Sequence, residues 1–461
     1  MKSNRKRIYL LLIAVIVLFL GLSIYLVYFQ IFESEAMARH SQNRRNWVDE
    51  TTIQRGSILS RGGQTIAHSE EGEGGFRRIY DGGSAFSPIT GYNSLVYGKT
   101  GLEKAYNTEL LNLTDDSLLG SLATALTEEG KGNDLVTTID YAMQERAYQA
   151  LEGFRGSMVV MDAKTGEVHA MVNRPSFSPS TINDDWESIN ADDEGALLNR
   201  ATQGLYTPGS IFKVISAIAI LESGIDDTYD DTGSEVIDGY EVVNINGNAY
   251  GNIDLEEALI YSSNTYFAHF SEELGPEPFK DITDRFGFNK AIPFDLETNA
   301  SRVSFESGMS EAALAAASFG QGDTLVTPLQ MAMVAGTIAN DGTMMKPRLV
   351  SEVVSDKGTT ILENKEKELN QVMSPSIART LQEMMVQTVN HNDYAVISGY
   401  DYGGKTGTAE VSGQSPNAWF MGYFDALDTT YSVALVLEEG ESGSYEAAPK
   451  VRDFIFWMLS R

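Results

Sequence analysis

Between residues 8 and 29 the chain carries no charged side chain and consists almost wholly of aliphatic and aromatic residues. A helix of ~22 residues at 1.5 Å per residue covers the ~30 Å hydrocarbon thickness of a bilayer. Lys2, Arg5, Lys6 and Arg7 precede the run, a placement that keeps an N-terminus cytoplasmic and sends the following chain outward. A cleaved signal peptide has a shorter apolar core, about 7–15 residues, and the small-residue stretch Ala36-Met37-Ala38 lies well beyond the run. The expectation is a cytoplasmic tail over residues 1–7, a retained transmembrane helix over 8–30 and an extracytoplasmic remainder.

Past the anchor, residues 33–50 are polar, and Gly-rich or acidic breaks at 70–75 and 81–83 divide the chain into short strands. Residues 135–139 read as a strand. Asp140 then stands as N-cap to a helix through residue 151, with Ala142, Ala147, Ala150 and Leu151 at helical spacing. Residues 31–154 are therefore expected to form a small N-terminal accessory module. From Gly156 the pattern changes. Two apolar strands, 157–162 and 167–172, flank a turn at 163–166. Helical periodicity follows over 210–223, 255–261, 265–274, 311–319, 328–339 and 376–389, strands return at 419–424 and 431–438, and an amphipathic helix closes the chain at 449–459. Strands at both ends with helices between predict an α+β domain over 155–461. Its first and last segments would share one antiparallel sheet flanked by helices.

Composition narrows the partners. A length of 461 residues suits two or three folded units, and the absence of cysteine removes disulfides and thiolate metal sites. The formal net charge of −30 argues against nucleic acid, whose binding needs clustered Lys and Arg. No motif calls for a cofactor or a metal.

The chemistry rests on serine. A hydroxyl is a weak nucleophile until a base takes its proton. The five histidines, His40, His68, His169, His269 and His391, fall in no nucleophile-elbow or metal-ligand spacing, so they read as surface or packed side chains. Lysine serves as a base when its ammonium is desolvated or set beside another cation. Tyr206-Thr-Pro-Gly-Ser-Ile-Phe-Lys213 offers that pair: Pro208-Gly209 turns the chain before an apolar helical stretch at 214–221. Ser210 then falls at a helix N-terminus, whose N–H groups point where an oxyanion would form, and Lys213 shares its face.

Taken alone the pattern is weak, because Ser3-x-x-Lys6 matches it too. Ser-x-Asn begins at Ser41, Ser188, Ser262 and Ser415, and Lys-Thr-Gly begins at Lys99, Lys164 and Lys405. Order discriminates among them. Only Ser262-Ser-Asn264 followed by Lys405-Thr-Gly-Thr408 lies downstream of Ser210 with domain-scale gaps.

With these motifs in that order, the chain resembles the class B penicillin-binding proteins, cell-wall transpeptidases of the penicillin-recognising serine acyltransferase fold shared with serine β-lactamases. Further landmarks are similar: Arg55-Gly-Ser-Ile-Leu-Ser-Arg-Gly-Gly63, Tyr97-Gly-Lys-Thr-Gly-Leu-Glu103, Thr137-Thr-Ile-Asp140, Phe319-Gly-Gln-Gly322, Thr327-Pro-Leu-Gln330 and Ala418-Trp-Phe-Met-Gly-Tyr423. The family usually has Asp where this chain has Ser60. The resemblance implies Ser210 as nucleophile on the penultimate D-Ala carbonyl of a peptidoglycan stem peptide, with Lys213 as its base. It implies Ser262 as a proton relay beside Lys405, and Asn264 as a partner of the substrate amide and of Lys213. It also implies Thr406 and Thr408 as holders of the terminal carboxylate, with Gly407 admitting the substrate. The N–H groups of Ser210 and Thr408 would form the oxyanion hole, and β-lactams would trap Ser210. The family's polymerase partner, a polytopic membrane glycosyltransferase, is implied as well.

Two other classes stand beside this reading. One is a hydrolase on the same fold, a D-Ala-D-Ala carboxypeptidase or a β-lactamase, for which Glu297-x-Asn299 is a faint candidate deacylating group with the wrong spacing. The other is non-catalytic: a β-lactam sensor, which should carry several membrane spans or a cytoplasmic signalling domain, or a degenerate scaffold, which should have lost at least one of Ser210, Lys213, Asn264 or Lys405. None is lost.

Overall fold

Five strands make the sheet on which the serine and lysine motifs converge: β1 (Arg155–Asp162), β2 (Val168–Arg174), β3 (Gly403–Val411), β4 (Gln414–Ala426) and β5 (Thr429–Glu438), in the order β3-β4-β5-β1-β2. Every pairing is antiparallel. Tyr431 lies opposite Asp162 and Glu438 opposite Arg155, so the first and last segments of the 155–461 region do share one sheet. The computed structural model describes residues 2–28, 50–113, 131–411 and 413–461. Most of the polar stretch expected after the anchor, with Ala36-Met37-Ala38 and Ser41, lies outside the described residues.

Side-chain alternation divides the core in two. On β1 and β5, Met158, Val160, Val433, Leu435 and Leu437 pack into one cluster, with Met143, Ala147 and Phe454 from the helices Tyr141–Ala150 and Ala448–Leu459. Val159, Met161, Ala434 and Val436 point the other way, into a cluster with Met331 and Ala335 of the helix Pro328–Ala339. Helices on both faces explain why β5 reads as an apolar run broken only by Ser432 and buried from Tyr431 through Leu437. Each such side chain gains about 1.5–3 kcal/mol on burial. Asp140 caps the helix Tyr141–Ala150 as expected, its Oδ1 accepting from Met143 N at 2.9 Å. That helix packs on the five-stranded sheet, although the sequence groups it with the accessory region.

A second sheet has six strands, in the order Thr360–Glu363, Val350–Val354, Asp134–Thr137, Ile58–Leu59, Thr65–Gly72 and Gly75–Ile79. Its central strands come from distant parts of the chain: Leu135 pairs in parallel with Ile58 and antiparallel with Val353. Ile58, Ile66, Leu135 and Val353 belong to the same core cluster as Met331, so this sheet has no separate core. Glu103 is fully buried between Arg55 and Arg78, joining two of the landmark stretches. Ser60, the departure from the family pattern, is buried and accepts from Gln64 N at 3.1 Å, holding its own turn.

The first helix, Lys2–Tyr28, has 27 residues. Its unbroken run of described side chains covers only residues 12–25. Among the described residues no helix is long and apolar enough to cross a membrane. Leu12, Ile16 and Leu20 of this helix are exposed.

Candidate active site

Ser210 sits in a turn held from four sides. Tyr206 exchanges backbone hydrogen bonds with Val326 at 3.0 and 2.8 Å, and Gly209 N donates to Gly320 O at 2.9 Å. Trp419 Nε1 donates to Thr207 O at 3.0 Å. The Tyr206 hydroxyl donates to Glu438 Oε1 at 2.7 Å, and the buried Arg200 reaches the same oxygen at 2.7 Å. Through these contacts the Phe319-Gly-Gln-Gly322 and Ala418-Trp-Phe landmarks fix the backbone under the nucleophile. Gly320 has φ 78°, and a Cβ there would lie 2.2 Å from Gly209 O, so only glycine fits.

The expected helix over 210–223 has two parts. Gly209–Phe212 is a 3₁₀ turn, and the α-helix starts at Lys213 and runs to Ser223. Three-residue periodicity stacks Ser210 over Lys213. No hydrogen bond joins Ser210 Oγ to Lys213 Nζ among the described residues; the amine instead lies 2.7 Å from Ser262 O, 2.7 Å from Asn264 Oδ1 and 3.2 Å from Ser262 Oγ. The Phe267 ring lies 5.8 Å from the same nitrogen. Lys213 is 0% exposed. Burial, and secondarily the Lys405 ammonium, hold its pKa well below the ordinary lysine value, the state in which a lysine accepts a proton.

Ser262 ends the helix Leu255–Tyr261 in a left-handed conformation, φ 57° and ψ 42°. That conformation costs a non-glycine residue ~1 kcal/mol or more and persists only where neighbours enforce it. Here the neighbours are a buried polar cluster. Asn244 Oδ1 accepts from Asn264 N at 2.7 Å and Thr265 N at 3.2 Å. Asn244 Nδ2 donates to both oxygens of Asp231, at 2.8 and 2.9 Å, and Ser263 Oγ donates to Asp231 Oδ2 at 2.6 Å. Asn264 Nδ2 donates to Val243 O at 2.9 Å, which leaves Asn264 Oδ1 facing Lys213. No sequence pattern pointed to Asp231 or Asn244.

Lys405 completes the cluster. Its Nζ lies 3.0 Å from Ser262 Oγ and 3.1 Å from Thr406 O, and burial lowers its pKa to about 7. Strand β3 carries it beside the nucleophile turn: a Cβ on Gly407 would lie 2.9 Å from Pro208 O, and one on Gly209 would lie 2.9 Å from Thr408 O. Thr406 is half-buried and Thr408 exposed at this edge. Lys213, Ser262, Asn264 and Lys405 are joined by direct hydrogen bonds, and the turn of Ser210 abuts Gly407 and Thr408.

The other motif copies stay apart. Lys164-Thr-Gly166 forms the β1–β2 turn, its first two N–H groups on Asp162 Oδ1. Lys99 pairs with Glu50 at 3.0 Å, and Ser188 Oγ donates to Asp185 O. Glu297 is a surface residue paired with Lys104, so it supplies no water-activating base.

Comparison with known proteins matches this geometry. Residues 156–455 match the penicillin binding protein transpeptidase domain family, and residues 55–135 match the penicillin binding protein A dimerisation domain family. The peptidoglycan D,D-transpeptidase PbpA of Mycolicibacterium smegmatis is 33% identical over 472 residues, covering 95% of this chain and 94% of the relative. Its Mycobacterium tuberculosis counterpart is 30% identical over 470 residues with the same coverage of each chain, 95% and 94%. The structure of penicillin-binding protein A from M. tuberculosis as a ceftriaxone acyl-enzyme complex superposes with a TM-score of 0.83 at 30% identity, covering 89% of this chain and 99% of that one. This chain belongs to the class B penicillin-binding proteins, of the penicillin-binding transpeptidase fold.

Proposed function

We propose that the protein is a peptidoglycan D,D-transpeptidase acylated at Ser210 and inhibited by β-lactams. One observation carries the reading: a wholly buried Lys213, depressed in pKa, shares the Ser262 hydroxyl with Lys405 beside the turn of Ser210. Ser210 Oγ attacks the penultimate D-Ala carbonyl of a donor stem peptide while neutral Lys213 takes its proton. The tetrahedral oxyanion forms against the N–H groups of Ser210 and Thr408. Ser262, hydrogen-bonded to both lysines, passes a proton to the departing D-Ala amine as the C–N bond breaks. Asn264 binds the donor amide, Thr406 and Thr408 bind its carboxylate, and Gly407 leaves room for it. An amine of a second stem peptide then attacks the acyl-enzyme and releases Ser210.

Labelling with a fluorescent penicillin tests the assignment. The wild type gives a long-lived adduct, Ser210→Ala gives none, and Lys213→Ala is slowed roughly 100- to 10,000-fold, the usual size of a general-base contribution. Undiminished labelling of Ser210→Ala, or an adduct hydrolysed within seconds, refutes it.

The same reading extends to organisation: a tail over 1–7, an anchor over 8–30, an accessory module over 31–154 and the transpeptidase over 155–461, facing out of the cell. Exposed Leu12, Ile16 and Leu20 on the first helix support the anchor. The anchor and accessory module would contact a polytopic glycosyltransferase that makes the glycan. Failure of any polytopic protein to co-purify in mild detergent counts against that partner.

A further inference from the structure

The chain after β5 makes a π-helical turn, Gly443–Ala447, laid along the edge strand β3. It approaches very closely: a Cβ on Gly443 would lie 2.3 Å from Gly407 O. Such turns are rare and frequent at functional sites. This one reaches both threonines of the proposed carboxylate site. Gly443 N donates to Thr408 Oγ1 at 3.1 Å, and Ser444 Oγ lies 3.3 Å from Thr406 Oγ1.

Asn392 biases the direction of the Ser444–Thr406 hydrogen bond. Tyr394 N donates to Asn392 Oδ1 at 3.0 Å, which fixes the amide orientation, so the bond of 3.2 Å from Asn392 Nδ2 makes Ser444 Oγ an acceptor. The Ser444 proton has one remaining partner among the described residues, Thr406 Oγ1. A hydroxyl has one proton to give. Thr408 accepts from Gly443, and when Ser444 gives its proton to Thr406 both threonine protons are left to donate outward; no acceptor among the described residues takes them. Two outward donors suit an anion.

We propose that Asn392, Ser444 and the Gly443 N–H are positioning groups that set Thr406 and Thr408 as hydrogen-bond donors and so select ligands ending in a free carboxylate. The inference rests on the proposed acylation of Ser210. Ser444 and Asn392 are not catalytic residues, since they act through the threonines.

Acylation rates by benzylpenicillin and by its methyl ester, read in competition with a fluorescent penicillin, test the relay. Wild type prefers the acid. Ser444→Ala should lower the acid-to-ester preference about tenfold, the value of one hydrogen bond to a charged group. Asn392→Asp should lower it similarly, because a carboxylate takes the Ser444 proton and forces Thr406 to donate to Ser444. Ser444→Thr, which keeps the hydroxyl, should restore the preference. A Ser444→Ala variant slowed equally against acid and ester, or retaining the wild-type preference, overturns the relay while leaving the Ser210 reading intact. A wild type labelled by neither ligand overturns both.

Discussion

Lys213 and Lys405, both buried, crowd two amines onto one hydroxyl, and the consequence is measurable. Lys405 titrates at about 7 in the folded protein, lowered by burial from 10.5. Below about 7 the folded state bears the full cost of a buried ammonium. Between that value and 10.5 the unfolded chain binds a proton that the folded one does not, so stability rises with pH across this window. Lys405→Met should therefore raise the melting temperature near about pH 6, and the gain should shrink by about pH 10. The same variant should lose acylation, because Ser262 then lacks its second amine. Thermal scans at the two pH values, paired with penicillin labelling, check both halves. A melting-temperature gain that does not depend on pH contradicts the assigned burial cost.

At the scale of elements, Asn244 holds the start of the helix Asn264–Leu274 and so the left-handed Ser262 before it. Asn244→Ala leaves two N–H groups and a buried carboxylate short of partners, at a cost of ~1–3 kcal/mol of stability for each stranded group. Acylation should slow with Ser210, Lys213 and Lys405 all present, and stopped-flow labelling with a chromogenic cephalosporin reads the change. Gly320→Ala should be comparably harmful, since its Cβ meets Gly209 O; a variant with wild-type labelling contradicts the four-sided support of the nucleophile turn. Much of this level was legible in the sequence. The helices Leu255–Tyr261 and Pro328–Ala339 occur where periodicity put them. Strand β3 was not, because Gly403, Gly404 and Gly407 remove the alternation that marks a strand. The rings of Tyr423 and Phe420 occupy the space that side chains at 403 and 404 would need. The Asp231–Asn244 clamp was illegible for another reason: its partners are set by tertiary approach, with no fixed spacing between them.

At the scale of the molecule, one core cluster runs from the six-stranded sheet to the helices over β5, so both regions should melt together. Burial would raise the Glu103 pKa, but Arg78 and Arg55 overcome it and hold the group below its ordinary value. Its stabilising contribution is present at neutral pH and is lost only as pH falls through that lowered value. Glu103→Gln strands two buried arginines and should lower a single calorimetric transition, at a cost of about 3–5 kcal/mol; two separate transitions would contradict the shared core. The proposed anchor predicts that removing residues 1–30 releases the protein from membranes with Ser210 labelling intact, which fractionation and fluorescent penicillin report; a full-length chain found in the soluble fraction contradicts it. The pairing of Leu135 with both Ile58 and Val353 also bears on biosynthesis. While the chain emerges from the ribosome, the strand Asp134–Thr137 waits with one edge bare until the far-downstream strand Val350–Val354 has been made. Bare edges recruit foreign strands. A chain ending after residue 154 should therefore aggregate more readily than the finished protein, a difference that light scattering of the two would read.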